Sequence, residues 1–337
     1  MEVLSTSDRD LERAAASLKA GFLVSFPTET VYGLGGDAFN LSALAKIFDA
    51  KNRPRFDPLI VHIASHGTLS RIIDEPSISA TARKRLSILS EQLWPGPLTI
   101  ILPKRPEVPD LATSGLATVA VRFPSHPVAQ KLIRLSTGAV AAPSANPFGC
   151  LSPTRAEHVK AQLGDRVDFI IDGGRCQVGL ESTVLDLSRE IPAILRPGGT
   201  SREAIECAIG PVDLLCGIRS GAPSGDAPLS PGQLKNHYAP RTPLILSTRK
   251  EMEEAPLSQG EGRLYFSPPE EEHNAAPERI RVLSANSNLT EAASNLFDML
   301  HELDSLGLNL IRAEEVPGAG LGEAINDRLC RAQSKKS

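Results

Sequence analysis

Leu11, Ala14, Ala15 and Leu18 recur at helical spacing behind Ser7 and Asp8 and ahead of Gly21, which predicts a short amphipathic helix over 8–20. It runs into the apolar stretch Phe22-Leu23-Val24-Ser25-Phe26, a strand stopped by Pro27. Compact apolar runs follow at 59–63, 98–102, 118–123, 139–142, 167–171 and 183–187, separated by helical or turn-rich segments. One of those segments predicts a helix from an Asn40 cap through Leu41, Leu44, Ile47 and Phe48. Two more helix starts read as capping boxes, Thr154-x-x-Glu157 and Thr200-x-x-Glu203. Residues 1–210 therefore read as an α/β domain with a mixed, twisted sheet.

Between 211 and 242 glycine and proline interrupt every periodic pattern, over more than the roughly 12–15 residues of an ordinary structureless loop. This is a linker, yet Ser230 to Pro240 is too specific in make-up to be mere spacer. Apolar runs then resume at 243–246, 263–266, 280–283 and 308–312, with a strong helix over 289–306. Residues 243–337 predict a smaller Rossmann-like α/β domain, without the G-x-G-x-x-G fingerprint that would make it a nucleotide site.

Composition narrows the function classes. The 337 residues are 41% hydrophobic and 23% charged, in keeping with two packed cores. A net charge of -4 argues against nonspecific coating of nucleic acid, and 4% aromatics leaves few platforms for stacking bases. Five cysteines without a C-x-x-C pair suggest reduced thiols, not a zinc site or a disulfide framework. No run approaches the roughly 20 apolar residues of a membrane span, so the expected setting is cytoplasmic, away from membrane.

Four cations stand near predicted strand or helix ends: Lys51, Arg53, Arg122 and Arg196. In Lys51-Asn52-Arg53-Pro54 the two charges are one residue apart and share a face if extended. Such a pair can grip adjacent phosphoryl groups, while in isolation it also reads as a basic helix end favoured by the dipole. Ser144-Ala145-Asn146, after the run Ala139-Val140-Ala141-Ala142, offers a hydroxyl and an amide to phosphate or ribose, or else forms a simple turn. Arg122, inside an apolar strand, demands an anion. His62, inside Leu59-Ile60-Val61-His62-Ile63, reads first as a hydrogen-bonded core residue. One polyanionic ligand accounts for the four cations together.

The ordered motifs Pro27-Thr28-Glu29-Thr30-Val31-Tyr32-Gly33-Leu34, Lys51-x-Arg53-Pro54, Pro58-Leu59, Ser144-Ala145-Asn146, Gly179-Leu180-Glu181-Ser182-Thr183 and Arg196-Pro197-Gly198 resemble the YrdC-type domain of the threonylcarbamoyl-AMP synthase family. Lys235-Asn236-His237-Tyr238-Ala239-Pro240 and the tail from Gly320 to Leu329 resemble its longer, two-domain form. The resemblance implies a YrdC-like N-terminal fold and a reaction: L-threonine, bicarbonate or CO2, and ATP give threonylcarbamoyl-AMP and pyrophosphate, for modification of tRNA. It implies a catalytic set of Lys51, Arg53, Ser144 and Asn146. ATP would be touched by Arg53, Asp57, Thr118, Ser144, Ser152, Arg196 and Tyr238. Threonine would be held by Thr30, His62, Arg122, Ala142 and Ser182. Mg2+ would accompany ATP, no protein metal site or tightly bound organic cofactor is expected, and a downstream tRNA threonylcarbamoyltransferase and tRNA itself are candidate partners.

One departure stands out. Asp57 occupies a position where the family is expected to carry Asn, and an acid beside a triphosphate is repulsive unless a metal or Arg53 offsets it. Two rival readings are a double-stranded-RNA or tRNA-binding module without catalysis, and a hydrogenase maturation factor with a similar domain, which would want zinc-binding cysteine pairs.

Overall fold

The computed structural model describes residues 1–215, 238–269 and 276–333. Lys235, Asn236 and His237 of the quoted linker segment lie outside the described residues, as does most of the expected linker.

The N-terminal strands are β1 (Glu2–Leu4), β2 (Val24–Phe26), β3 (Gly33–Asp37), β4 (Ile60–Ile63), β5 (Leu98–Pro103), β6 (Thr118–Arg122), β7 (Ala139–Ala141), β8 (Phe169–Ile171), β9 (Thr183–Asp186), β10 (Ala193–Arg196) and β11 (Asp213–Leu214). They form one mixed sheet in the order β1-β8-β2-β3-β7-β4-β6-β5-β9-β10-β11. Its helices are α1 (Asp8–Lys19), α2 (Leu41–Lys51), α3 (Ala80–Gln92), α4 (Asp110–Thr113), α5 (Pro127–Leu135), α6 (Ala156–Leu163) and α7 (Arg202–Ile209). α1 buries the predicted stripe of Leu11, Ala14, Ala15 and Leu18, and its cap Ser7 accepts from Asp10 N. Asn40 caps α2 by accepting from Ser42 N and Ala43 N.

Three sequence expectations shift on folding. The caps of α6 and α7 are Arg155 and Ser201, one residue after the predicted Thr154 and Thr200. Thr200 is diverted because its N–H donates to Thr183 Oγ1 and its carbonyl accepts from the same hydroxyl, which ties it to β9. Gly33–Asp37, rich in glycine and absent from the predicted strands, is strand β3, paired antiparallel with β2 and β7. A Cβ at Gly35 would sit 2.7 Å from Phe26 Cε1 and 3.0 Å from Val140 Cγ1, so glycine here permits close packing and not a bend. Part of the expected linker, Asp213–Leu214, extends the sheet as β11 beside β10.

The C-terminal sheet is wholly parallel, in the order β12-β15-β13-β14, with β12 (Leu244–Ser247), β13 (Glu261–Tyr265), β14 (Ile280–Val282) and β15 (Leu310–Glu314). Helices α8 (Arg249–Glu254), α9 (Leu289–Ser305) and α10 (Leu321–Ala332) accompany it. Its apolar core does not stop at the domain boundary: Val31, Leu151 and Leu180 of the first domain join Tyr238, Leu296, Phe297 and Ile325 in one cluster. Removing each such aliphatic side chain from water contributes about 1.5–3 kcal/mol, so the two domains are packed against each other and not merely tethered. Polar contacts register the docking. Asp298 accepts from Arg155 Nε and Nη2 at 2.7 and 2.9 Å, and the rings of His158 and His301 stack with centroids 3.9 Å apart.

Candidate active site

Sheet register brings the scattered motifs together. In the β4–β6 pair His62 lies opposite Arg122, and on the other side of β4 it lies opposite Val140 of β7. At the start of β3, Tyr32 to Leu34 runs along 143–145: Leu34 N donates to Pro143 O, Ala145 N to Tyr32 O, and Gly33 bridges Ser144. The Pro27–Tyr32 loop and the Ser144-Ala145-Asn146 loop thus meet across the ends of β2, β3 and β7. From the other half of the sheet, Arg196-Pro197-Gly198 packs on Glu181-Ser182. A Cβ at Gly198 would lie 2.4 Å from Glu181 O, so only glycine lets these backbones approach. The result is a cavity lined by Thr28, Thr30, Arg53, His62, Arg122, Ala142, Ser144, Glu181, Ser182, Arg196 and Tyr238, among others.

Every cation at this cavity is buried and engaged. Lys51 Nζ, 1% exposed, donates to the carbonyls of Ser144 and Asn146, both at 2.5 Å. It therefore joins the two motifs by holding the backbone of one on the side chain of the other. Burial, and then the Arg53 charge, push the Lys51 ammonium well below its ordinary pKa. Arg53 donates to the carbonyls of Asp57 and Pro58 and pairs with Asp57 Oδ2 at 2.8 Å. Burial lowers the Arg53 pKa and raises that of Asp57, and each charge pulls the other back toward ionisation. Arg122 faces Glu29 Oε1 at 2.7 Å, so the anion its burial demands is supplied within the chain. Burial would raise the Glu29 pKa, but Arg122 together with the backbone N–H donors of Glu29 and Ser125 holds the carboxyl below its usual range. Arg196 donates to Ser182 O and Ser182 Oγ, and Ser182 Oγ also bonds Thr99 Oγ1 at 2.7 Å. His62 Nδ1 donates to Ile60 O at 3.2 Å, since a carbonyl can only accept. Burial, then Arg122, pushes the His62 pKa down to about 3, so its ring is neutral at pH 7.

Among the described lining residues the cavity wall carries three arginines, Arg53, Arg122 and Arg196, and one carboxylate, Glu181. These cations sit in a recess, not on an open face that could follow a nucleic-acid backbone. A family model described as "Telomere recombination" (Sua5, YciO, YrdC) matches residues 16–198, and one described as "Threonylcarbamoyl-AMP synthase, C-terminal domain" matches 200–334. The threonylcarbamoyl-AMP synthase of Bacillus subtilis is 41% identical over 98% of this chain and 94% of its own length. The chain belongs to the threonylcarbamoyl-AMP synthase family. A second family member, from Pyrococcus abyssi, is 40% identical over 95% of the chain and 92% of its own length. A crystal structure of P. abyssi Sua5 complexed with L-threonine superposes with a TM-score of 0.89 at 37% identity, covering 98% of this chain and 97% of that one. Both domains of the family are thus present, and the similarity extends through the second domain.

Of the residues that membership of the threonylcarbamoyl-AMP synthase family pointed to, Thr30, Arg53, His62, Arg122, Ala142, Ser144, Ser182, Arg196 and Tyr238 share the cavity wall. Lys51 and Asn146 stand directly behind it: Asn146 Nδ2 donates to Pro147 O and Cys150 O, and so shapes the loop. Asp57 is fully buried against Arg53, which supplies the offset its charge requires. Ser152 is buried too, with its hydroxyl on Glu181 Oε1. Thr118 opens β6, four residues and about 13 Å along the strand from Arg122, and does not line the cavity. Ala142 N–H is committed to Ile60 O. Sequence reasoning passed over Glu29, Glu181 and Arg328. All three lie inside quoted segments, the first two as acids of the site motifs and Arg328, on α10, within the tail from Gly320 to Leu329, but none was given a role. No helix among the described residues is long and apolar enough to cross a membrane.

Proposed function

We propose that this cavity forms threonylcarbamoyl-AMP from L-threonine, bicarbonate-derived CO2 and ATP. The observation that carries the reading is the convergence of three buried arginines, a neutral histidine and two serines in one recess of a threonylcarbamoyl-AMP synthase chain. Arg122, His62, Thr30, Ser182 and the Ala142 backbone take threonine, the carboxylate facing Arg122. Arg53, Ser144, Arg196 and Tyr238 take the nucleotide, with Lys51 and Asn146 holding the phosphate loop in shape. Asp57 and Ser152 act from behind the wall by fixing Arg53 and Glu181.

The neutral threonine amine attacks CO2, forming a C–N bond and losing a proton to give the carbamate. A carbamate oxygen then attacks the α-phosphorus, the bond to the β-phosphate oxygen breaks, and pyrophosphate leaves with the electron pair. The protein contributes position and fixed positive charge where negative charge builds. A neutral His62 does not add a cation beside the amine. Mg2+ arrives as part of Mg·ATP, since phosphate oxygens are the hard ligands this ion prefers.

The cavity encloses about 40 Å³, room for a few waters and well short of the roughly 300–1,000 Å³ of small-molecule sites. Binding of ATP requires a wall of this cavity to move. Closure afterwards shields the carbamate and the mixed anhydride from water. The product serves a tRNA threonylcarbamoyltransferase, with tRNA as the final acceptor. The test is pyrophosphate release from ATP, expected only when threonine and bicarbonate are both present; release indifferent to threonine contradicts the assignment.

A further inference from the structure

Arg328 belongs to α10 of the C-terminal domain and is 1% exposed, yet its guanidinium lies against the first domain's site. Nε donates to Glu181 Oε2 at 2.8 Å, Nη2 to Pro197 O at 3.0 Å and Nη1 to Asp327 Oδ2 at 2.6 Å. Its flat face covers the Tyr238 ring, with Cζ 4.8 Å from the centroid. Asp327 is held in turn by Arg331 Nε at 2.9 Å, one helical turn further on.

Each partner adjoins the cavity. Glu181 and Tyr238 are on its wall, and Pro197 follows Arg196, which is also on it. Glu181 precedes Ser182, to which Arg196 is bonded, so one guanidinium ties the 181–182 segment to the 196–197 segment at the place where their cavity-lining side chains meet. Both carboxylate oxygens of Glu181 are engaged, Oε1 by Ser152 Oγ and Oε2 by Arg328. Tyr238 adopts φ +67°, a left-handed conformation that costs a non-glycine residue about 1–2 kcal/mol and persists only where packing over-determines it. Arg328 and Phe297, both from the second domain, supply that packing.

We propose that Arg328 is a positioning residue through which the C-terminal domain completes the adenylating site, by fixing Glu181, the backbone after Arg196 and the Tyr238 ring in one geometry. This rests on the assignment of the cavity given above. The second domain is then part of the site and not a passive neighbour. The Arg155–Asp298 contact, by contrast, joins the domains away from the cavity wall.

The test uses the full chain and threonine-dependent pyrophosphate release. Arg328→Gln is expected to lower kcat/KM for ATP by about 10²-fold, the loss typical of slight misplacement of reacting groups, with the KM for threonine changed less than about threefold. Arg328→Lys, which keeps the charge on Glu181, is expected to recover part of the loss. Glu181→Gln combined with Arg328→Gln is expected to do no more harm than the worse single variant, because both changes break the same link. Arg155→Gln, which loosens docking elsewhere, is expected to keep wild-type kinetics. Wild-type kinetics in Arg328→Gln, equal losses in Arg328→Gln and Arg155→Gln, or fully additive effects of the Arg328 and Glu181 changes would each overturn the proposal. If Arg328→Gln fails to fold, Arg328→Lys takes its place in the same cycle. Failure of the wild-type protein to release pyrophosphate on addition of threonine would overturn the cavity assignment itself, and is separable from every outcome seen only in the variants.

Discussion

Acid should destabilise this protein through His62 well before its carboxylates titrate. The ring is 3% exposed, packed beside Arg122, and its pKa is pushed down to about 3. An unfolded chain would protonate the same imidazole near pH 6.5, so between pH 6.5 and 3 the unfolded state binds the extra proton and stability falls as pH falls. At pH 7 the linkage penalty is small, about 0.2 kcal/mol, and at pH 5 it is about 2 kcal/mol, on those two pKa values. Carboxylates depressed by arginines, such as Glu29, lose their stabilising contribution in a lower window. His158, stacked on His301 at the domain boundary and also pushed to about 3, contributes a similar amount by the same sign. Two measurements check this. The His62 imidazole signal in an NMR titration should show no inflection between pH 8 and pH 5. In urea unfolding, His62→Gln should lose about 2 kcal/mol less than the wild type on going from pH 7 to 5. An inflection near pH 6.5, or identical pH dependence in the two proteins, would refute the buried neutral histidine and with it the reason His62 leaves the threonine amine free of a neighbouring cation.

Three other changes probe the site. Lys51→Met deprives the Ser144 and Asn146 carbonyls of their shared donor, and should cut pyrophosphate release by more than about 100-fold while circular dichroism shows a folded protein; retained turnover would deny the lysine its role in shaping the loop. Arg122→Lys keeps a charge but loses the planar fork that faces Glu29, so the KM for threonine should rise by about ten-fold or more in a threonine titration, with ATP little affected. Asp57→Asn removes the buried anion from Arg53 and should cost about 3 kcal/mol, read as a lower midpoint in chemical unfolding; an unchanged midpoint would mean that the two backbone carbonyls alone satisfy Arg53.

Much of the chain's organisation was legible locally. Period-2 and continuous apolar runs announced β2, β4 to β9 and β12 to β15, because a strand's burial is written in its own residues. The helical stripes of α1, α2 and α9 were equally plain. What local reading missed has a common cause. Gly33–Asp37 has no strand propensity, and becomes β3 only because Phe26 and Val140 press close enough to require glycine. Thr200 lost its capping role to a hydroxyl 17 residues earlier.

The site divides the same way. Residue types alone marked the cations, the serines and the anion demand of Arg122, since burying a guanidinium in an apolar strand is physically costly wherever the strand lies. Which anion answers that demand, that Lys51 grips the very loop it was expected to face, and that Asp57 is neutralised by Arg53 depended on register and packing between segments up to 93 residues apart. Arg328 is the extreme case: nothing around Asp327-Arg328-Leu329 distinguishes it from a surface helix arginine until the second domain docks and carries it 147 residues back along the chain to Glu181. Sequence determined which chemical groups were available and which were expensive to bury. Tertiary structure decided their partners, because hydrogen bonds and ion pairs act over a few ångströms in space and take no account of distance along the chain.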